Sequence, residues 1–339
     1  MTSRTPDRGV AGFLRTRQGL AVEPAEVQCT NLTSMTTIDP ARPFGRVLTA
    51  MVTPFTADGR LDLEGAQRLA AHLVDSGGND GLVVNGTTGE SATLTDPEKE
   101  ALLRAVVEAV GDRATVVAGA GNNDTRHTID LSRAAEKAGA HGLLLVTPYY
   151  NKPPQAGLVG HFTAAADATD LPVMLYDVPH RTSLAIAPET IARLAEHPRI
   201  LAVKDAKGDL AASSWVLART DLAYYSGDDV LNLPLLSIGA VGFVSVVGHV
   251  VGVRLREMLD AYEGGDWVRA RQIHYSLLPV FTGMFRTQGV ILTKASLTLQ
   301  GLPAGPVRLP LVDATDAEIA TLVADLTAGR VELPAGVTA

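Results

Sequence analysis

The sequence predicts a (β/α)8 barrel, the TIM-barrel fold, with a C-terminal helical appendage, and three observations predict it. From Arg46 onward, a short apolar strand, a loop marked by Gly, Pro or Asn and an amphipathic helix recur in succession. The predicted strands start about 20–35 residues apart, the length of a strand plus a crossover helix. They are nearly continuous apolar runs, which is typical of a parallel sheet covered by helices.

Eight segments are predicted as the strands of this barrel, because each is a short apolar run bounded by turn-forming residues. They are residues 47–52, 81–84, 115–118, 142–146, 173–176, 200–203, 223–226 and 242–247.

The helices between these strands carry recognisable start and stop signals. The first is predicted to begin near residue 61. Thr95 precedes Asp96-Pro97-Glu98, which predicts an N-cap with proline in the first turn of the second helix. Asp124 is predicted to cap the third helix, and Gly139 to end it.

Three regions are predicted along the chain. Residues 1–43 mix Arg, Thr, Pro and Ser without periodicity and are predicted to be a disordered leader, with Met35 an alternative start of translation. Residues 44–264 form the barrel. Residues 265–339 form a C-terminal helical region, with helices near 266–285, 289–300 and 315–328 that we expect to pack against the barrel or a neighbouring subunit.

Composition excludes several classes of function. The net charge of −8 argues against nucleic acid or an anionic membrane as a partner, and Cys29, the single cysteine, cannot form an intrachain disulfide. Residues 230–253 contain no Asp, Glu, Lys or Arg, but prolines and glycines interrupt them, so a short helix followed by a strand is predicted instead of a membrane span. The first 42 residues lack the apolar region of a secretory signal, and we expect a cytoplasmic protein.

Lys204 ends the sixth predicted strand, in a chain that has few lysines. A partly desolvated ammonium at this point would have a lowered pKa, and its neutral amine could attack a carbonyl. The alternative is a lysine whose ammonium extends from the strand end into water.

Polar residues follow three other strands, and in a barrel all these strand ends meet at one rim. The turn containing Thr87 and Thr88 suits a carboxylate, although a plain turn into a helix would have the same composition. Tyr176 is either a proton-transfer group or a core tyrosine. Arg181 is either a second carboxylate site or a solvated loop residue.

No metal or cofactor site is predicted. The eight histidines form no i, i+4 pair, and the glycine-rich segment 119–123 lacks the features of a P-loop or a dinucleotide fingerprint. His249, after the eighth strand, is interpreted as a hydrogen-bonded structural histidine.

Three motifs together resemble the Schiff-base pyruvate lyase family and, within it, the 4-hydroxy-tetrahydrodipicolinate (dihydrodipicolinate) synthases. They are residues 86–90 (GTTGE), 176–181 (YDVPHR) and 203–206 (VKDA). The resemblance runs from about residue 44 to the last helix. It implies an enzyme that condenses pyruvate with L-aspartate 4-semialdehyde in the diaminopimelate route to lysine, without a cofactor, and a homotetramer built as a dimer of dimers.

The resemblance also implies a role for each matching residue. Lys204 would form the Schiff base with pyruvate. Tyr176, Thr87 and Tyr150 would form a proton relay, with Tyr150 reaching the site of an adjacent subunit. The remaining matches are substrate-binding positions: Thr88 for the pyruvate carboxylate, Arg181 for the semialdehyde carboxylate, and Gly227 and Val244 lining the site.

The resemblance implies a lysine feedback pocket that departs from the family pattern. Ser91, Ala92, Asn123 and Tyr149 match that pocket. Lys99 and His127 stand where lysine-inhibited members carry a histidine and a glutamate. Because a cation there would repel the ligand's ammonium, we expect lysine inhibition to be weak or absent.

Two alternatives remain. A sialic acid lyase or a 2-keto-3-deoxy sugar acid aldolase would share the lysine and the tyrosine, but the Thr87-Thr88 pair and Arg181 disfavour both. A non-catalytic barrel that senses a small molecule would be expected to have lost part of the lysine, tyrosine and threonine set, and all of it is present.

Overall fold

The computed structural model describes residues 41–336, and within them eight parallel strands close into a barrel. Each strand pairs with the next one along the chain, and β8 returns to pair with β1. The strands are β1 Val47–Ala50, β2 Gly81–Val84, β3 Thr115–Gly119, β4 Gly142–Val146, β5 Val173–Asp177, β6 Ile200–Asp205, β7 Ala223–Ser226 and β8 Gly242–Ser245. The predicted fold class is confirmed.

Helices follow the strands in alternation and cover the outside of the barrel. The α-helices of the described residues are α1 Leu63–Asp75, α2 Asp96–Val110, α3 Thr125–Lys137, α4 Gln155–Asp167, α5 Pro179–Thr182, α6 Pro188–Leu194, α7 Leu210–Leu217, α8 Asn232–Ser237, α9 Gly248–Glu263, α10 Trp267–Gly283, α11 Gly289–Leu299 and α12 Asp316–Ala328. Short 3-10 helices occupy Ser91–Thr93 and Asp229–Leu231.

The capping signals act as the sequence predicts. The Thr95 side chain accepts from the backbone N–H of Glu98, and the Glu98 carboxylate accepts in return from Thr95 N, which completes a capping box on α2. The Asp124 side chain caps α3. Gly139, just beyond the end of α3, has a φ of +87°, a conformation that favours glycine.

Five strand ends differ from the prediction. Strands β3 and β5 each extend one residue further than predicted. Strand β6 continues past residue 203, because Lys204 and Asp205 pair with residues of β5 and β7. Strands β1 and β8 each stop two residues early. After Ser245, the N–H groups of Val246 and Val247 donate to the carboxylate of Asp229 instead of to a neighbouring strand.

The segment 230–253 contains α8 and β8, and α9 begins within it. The predicted short helix followed by a strand is therefore confirmed. Among the described helices, none is both long enough and apolar enough to cross a membrane.

The inside of the barrel is filled by side chains that alternate with the outward-facing ones along each strand. Near the N-terminal ends of the strands, the Tyr225 hydroxyl donates to Gly45 O at 2.9 Å. Residues of this interior cluster include Leu48, Val83, Val117, Leu144, Met174, Ala202, Tyr225 and Val244.

The three predicted C-terminal helices are present as α10, α11 and α12. A buried apolar cluster joins α9, α10 and α12, and it includes Leu255, Leu277 and Leu326. The start of α11 faces the C-terminal ends of the strands, where Gly289 and Val290 line a cavity. The predicted leader lies outside the described residues as far as residue 40, and Met35 and Cys29 lie outside them too.

Candidate active site

A cavity of about 580 Å³ opens at the C-terminal ends of the strands, where barrel enzymes carry their chemistry. The C-terminal region supplies its outer wall through Phe281, Phe285 and Gln288. Six of the residues predicted from the sequence line it together: Thr87, Thr88, Tyr176, Arg181, Lys204 and Gly227.

Lys204 is the next-to-last residue of β6 and is 4% exposed. Its Nζ lies 4.3 Å from the centre of the Tyr176 ring. The pKa of Lys204 is lowered to about 7, and burial is the main cause. The carboxylate of Asp229 opposes this shift, and the positive charge of Arg181 contributes to it. The amine therefore exists partly in its neutral, nucleophilic form near neutral pH.

Gly227 follows β7 and gives the Lys204 side chain room. A Cβ atom at position 227 would lie 2.9 Å from both Cε and Cγ of Lys204. Contacts this short are repulsive, so any larger residue would displace the lysine stem from its present path.

Tyr176 lies beside Lys204, because the two residues are partners in the ladder between β5 and β6. The phenol is 6% exposed, and burial raises its pKa to about 12. The charge of Arg181 and a hydrogen bond with the Thr87 side chain act in the opposite direction. The phenol thus stays protonated and can give up or receive a proton next to the lysine amine.

The turn after β2 holds Thr87 and Thr88 at the cavity. It begins at Asn85 and ends at Glu90, which have φ angles of 61° and 55°, both in the left-handed region. Within it, Glu90 N donates to Thr87 O at 3.1 Å. Left-handed backbone is unfavourable for a glutamate, so contacts outside the turn must stabilise it.

Arg181 lies in the short helix α5, at the exposed edge of the cavity. Its Nη2 donates to Oε1 of Gln288 at 2.8 Å. Gln288 is the N-cap of α11 and was not found by sequence reasoning, since no motif signals it. Asp228 also lines the cavity and was missed, although the run Ser226-Gly227-Asp228-Asp229 at a strand end was a detectable signal.

Two predicted site residues do not line the cavity. Tyr150 has a φ of 73°, is 90% exposed and is not among the residues that line the cavity of its own chain. Val244 is fully buried in the barrel interior, and Val246 of the same segment lines the cavity.

His249 makes hydrogen bonds through both ring nitrogens, to Val246 O at 2.7 Å and from Val52 N at 3.1 Å. It is a buried structural residue, as interpreted from the sequence, although it lies in α9. In the part of the chain that the structure describes, no three His, Cys, Asp or Glu side chains group in a way that could hold a metal ion.

Comparisons with known proteins agree with this geometry. The model of the dihydrodipicolinate synthetase family matches residues 43–329. The chain is 69% identical over 297 residues to 4-hydroxy-tetrahydrodipicolinate synthase 2 of Streptomyces coelicolor, which covers 88% of this chain and 99% of that protein. It is 71% identical over 293 residues to the 4-hydroxy-tetrahydrodipicolinate synthase of Acidothermus cellulolyticus, covering 86% and 94%.

Solved structures give the same result. The crystal structure of DHDPS from Cyanidioschyzon merolae with lysine bound has a TM-score of 0.83 and 44% identity, and covers 85% of this chain and 98% of that one. Family match, sequence identity and fold therefore coincide over nearly all of the described residues. The chain belongs to the dihydrodipicolinate synthetase family.

Proposed function

We propose that this chain uses Lys204 to condense pyruvate with L-aspartate 4-semialdehyde. The protein is a lyase that makes 4-hydroxy-tetrahydrodipicolinate, in the diaminopimelate route to lysine. The observation that carries the assignment of Lys204 is its buried amine, with a pKa lowered to about 7, directly above the Tyr176 ring in the cavity.

In the proposed reaction, the neutral Nζ of Lys204 attacks the keto carbon of pyruvate. The carbinolamine loses water to give a Schiff base, and a methyl proton then leaves to give an enamine. The enamine carbon attacks the aldehyde carbon of the second substrate. The amino group of that substrate then closes the ring and displaces the lysine, which regenerates the free amine.

Tyr176 and Thr87 are proposed to move the protons that these steps require. The phenol is protonated at neutral pH and lies beside the amine, so it can protonate the hydroxyl that leaves as water. The Thr87 hydroxyl, hydrogen-bonded to the phenol, would carry the proton onward.

Tyr150 is proposed to complete this relay in the cavity of a neighbouring copy. Its exposure of 90% and its position away from its own cavity support this role. The proposal requires an oligomer, and the homotetramer built as a dimer of dimers remains part of it. A cytoplasmic location also remains a proposal, which cell fractionation would test.

The remaining roles concern binding. We assign the pyruvate carboxylate to Thr88 and the turn that holds it, and the semialdehyde carboxylate to the guanidinium of Arg181. Gly227 keeps the space that the Lys204 stem requires. Val244 would act from the barrel interior, behind the lining residue Val246.

A condensation assay tests this function. Purified protein with pyruvate and L-aspartate 4-semialdehyde should form the cyclic product, and Lys204→Ala should not. Polyhydroxylated aldehydes serve as the comparison substrates, because a sugar-acid lyase would prefer them. Turnover only with the sugar aldehydes would contradict the proposal.

A further inference from the structure

A buried ion pair joins Glu90, the last residue of the Thr87-Thr88 turn and part of the cavity lining, to the C-terminal region. Glu90 Oε1 is 2.6 Å from Nζ of Lys294, a residue of α11, and the two side chains are 1% and 4% exposed. Neither residue has a part in the proposed mechanism. A buried charge is costly unless it is paired, so each of these groups depends on the other.

The pair connects the turn to the C-terminal region at several points. Lys294 Nζ also donates to Pro306 O at 2.8 Å and stands 4.2 Å from the centre of the Phe55 ring. The second carboxylate oxygen of Glu90 accepts from Arg308 N at 2.8 Å. The last residue of the turn is thus held by α11 and by the connection between α11 and α12.

Glu90 needs such an anchor. Its backbone is left-handed, and its N–H closes the turn on Thr87 O. A glutamate has no intrinsic preference for this conformation, and the external contacts of its carboxylate supply the stabilisation. Any movement of Glu90 would be transmitted to Thr87 and Thr88 through the backbone of the same turn.

We propose that Glu90 and Lys294 are positioning residues, which fix the Thr87-Thr88 turn for binding the keto acid and relaying protons. This inference rests on the proposed function. It makes the C-terminal region part of the catalytic apparatus, and it gives the buried Lys294 a positioning role.

Steady-state kinetics and thermal unfolding of Glu90→Gln, Lys294→Met and the double variant test this inference. Each single variant leaves one buried charge unpaired and should lower the unfolding temperature. Each should also raise the KM for pyruvate and lower kcat by about 10-fold, since small misplacements of positioning groups have effects of this order. The double variant buries no unpaired charge, so its unfolding temperature should recover while its KM and kcat do not.

Arg256→Gln is the control. Arg256 forms an ion pair with Asp80, and Asp80 immediately precedes β2, at the opposite end of the barrel. This change should reduce stability and leave the KM for pyruvate within about twofold of the unsubstituted enzyme. If a single variant does not fold, the double variant alone decides the question.

Two results would overturn the inference. One is a KM for pyruvate that stays unchanged in all three variants, and the other is a KM and kcat that recover in the double variant together with stability. Borohydride trapping of pyruvate separates either of these outcomes from failure of the proposed function. An adduct on Lys204 in every variant keeps the proposed function intact, whatever the KM values are.

Discussion

At the residue scale, the contrast between two buried lysines explains why only one of them suits nucleophilic catalysis. The ammonium of Lys294 is paired with the Glu90 carboxylate and donates a hydrogen bond to a backbone carbonyl. Lys204 is as deeply buried, but its Nζ lies over the face of the Tyr176 ring. Burial lowers the pKa of both amines, but Glu90 opposes this at Lys294 through its charge and a hydrogen bond, whereas at Lys204 Asp229 acts through its charge alone and the pKa falls to about 7. The lowered pKa makes the Lys204 amine reactive and also makes it a cost to the fold.

The first prediction concerns this cost. The pKa of Lys204 is about 7 in the folded state against an ordinary value of 10.5, so the unfolded state binds more protons between these values. The penalty is complete below pH 7 and disappears as the pH rises towards 10. Lys204→Met should therefore be more stable than the unsubstituted protein by about 1–3 kcal/mol near pH 6.5.

Urea unfolding at several pH values measures this difference. The advantage of Lys204→Met should shrink as the pH rises and be nearly lost at about pH 10. An advantage that stays constant with pH would mean that the substitution acts through packing and not through the charge.

The second prediction concerns the proton relay. Thr87→Val and Tyr176→Phe keep the shapes of the side chains and remove the hydroxyls. Each should lower kcat by about 10²–10⁴-fold, the usual contribution of general acid–base catalysis. Tyr225→Phe is the matched control, because this hydroxyl bonds Gly45 O at the other end of the barrel. If kcat falls no further in Thr87→Val and Tyr176→Phe than in Tyr225→Phe, these hydroxyls do not relay protons in the reaction.

At the element scale, strand ends and turns could be predicted, whereas contacts between distant elements could not. Lys204, Tyr176 and the threonine turn lie at the ends of strands that a periodic pattern identifies, so their convergence follows from the barrel. Gln288 and the Glu90–Lys294 pair depend on where α11 lies relative to β2. No pattern in one sequence encodes that contact. The extension of β6 to Asp205 was missed because charged residues rarely continue an apolar strand.

The third prediction concerns lysine inhibition, at the starts of α2 and α3. Lys99 does not stand there as a bare cation, as the sequence suggested: Asp96 lies 3.5 Å from its Nζ and accepts from His127 Nε2 at 2.9 Å. The repulsion is therefore reduced, but the carboxylate that would attract an ammonium is already engaged. We still expect weak or absent inhibition by lysine, measured as the inhibition constant in the condensation assay. A micromolar constant would contradict this.

At the scale of the whole molecule, one chain contains the lysine, the tyrosine and the threonine turn but leaves Tyr150 outside the cavity. The barrel and the C-terminal helices could be predicted from the sequence because each rests on local patterns. Tyr150 was expected only through the family resemblance, since the contact proposed for it between subunits has no local signature. The proposed relay would be complete only if copies assemble so that Tyr150 of one enters the site of another.

The fourth prediction tests this assembly by complementation. Tyr150→Phe and Lys204→Ala chains should each be nearly inactive alone. In mixed dimers, the site that keeps Lys204 receives an intact Tyr150 from the other chain. Unfolding the two proteins together and refolding them should therefore restore about a quarter of the activity. Equal amounts of either variant refolded alone provide the control, and no recovery in the mixture would place Tyr150 outside the relay.

Borohydride trapping followed by peptide mapping directly tests the central claim, namely that the Lys204 amine bonds covalently to the keto acid. Reduction in the presence of pyruvate should add one pyruvate-derived group per chain, on the peptide that contains Lys204, and Lys204→Ala should prevent it. An adduct that persists in Lys204→Ala, or that maps to Lys294 or any other lysine in the unsubstituted protein, would contradict the account.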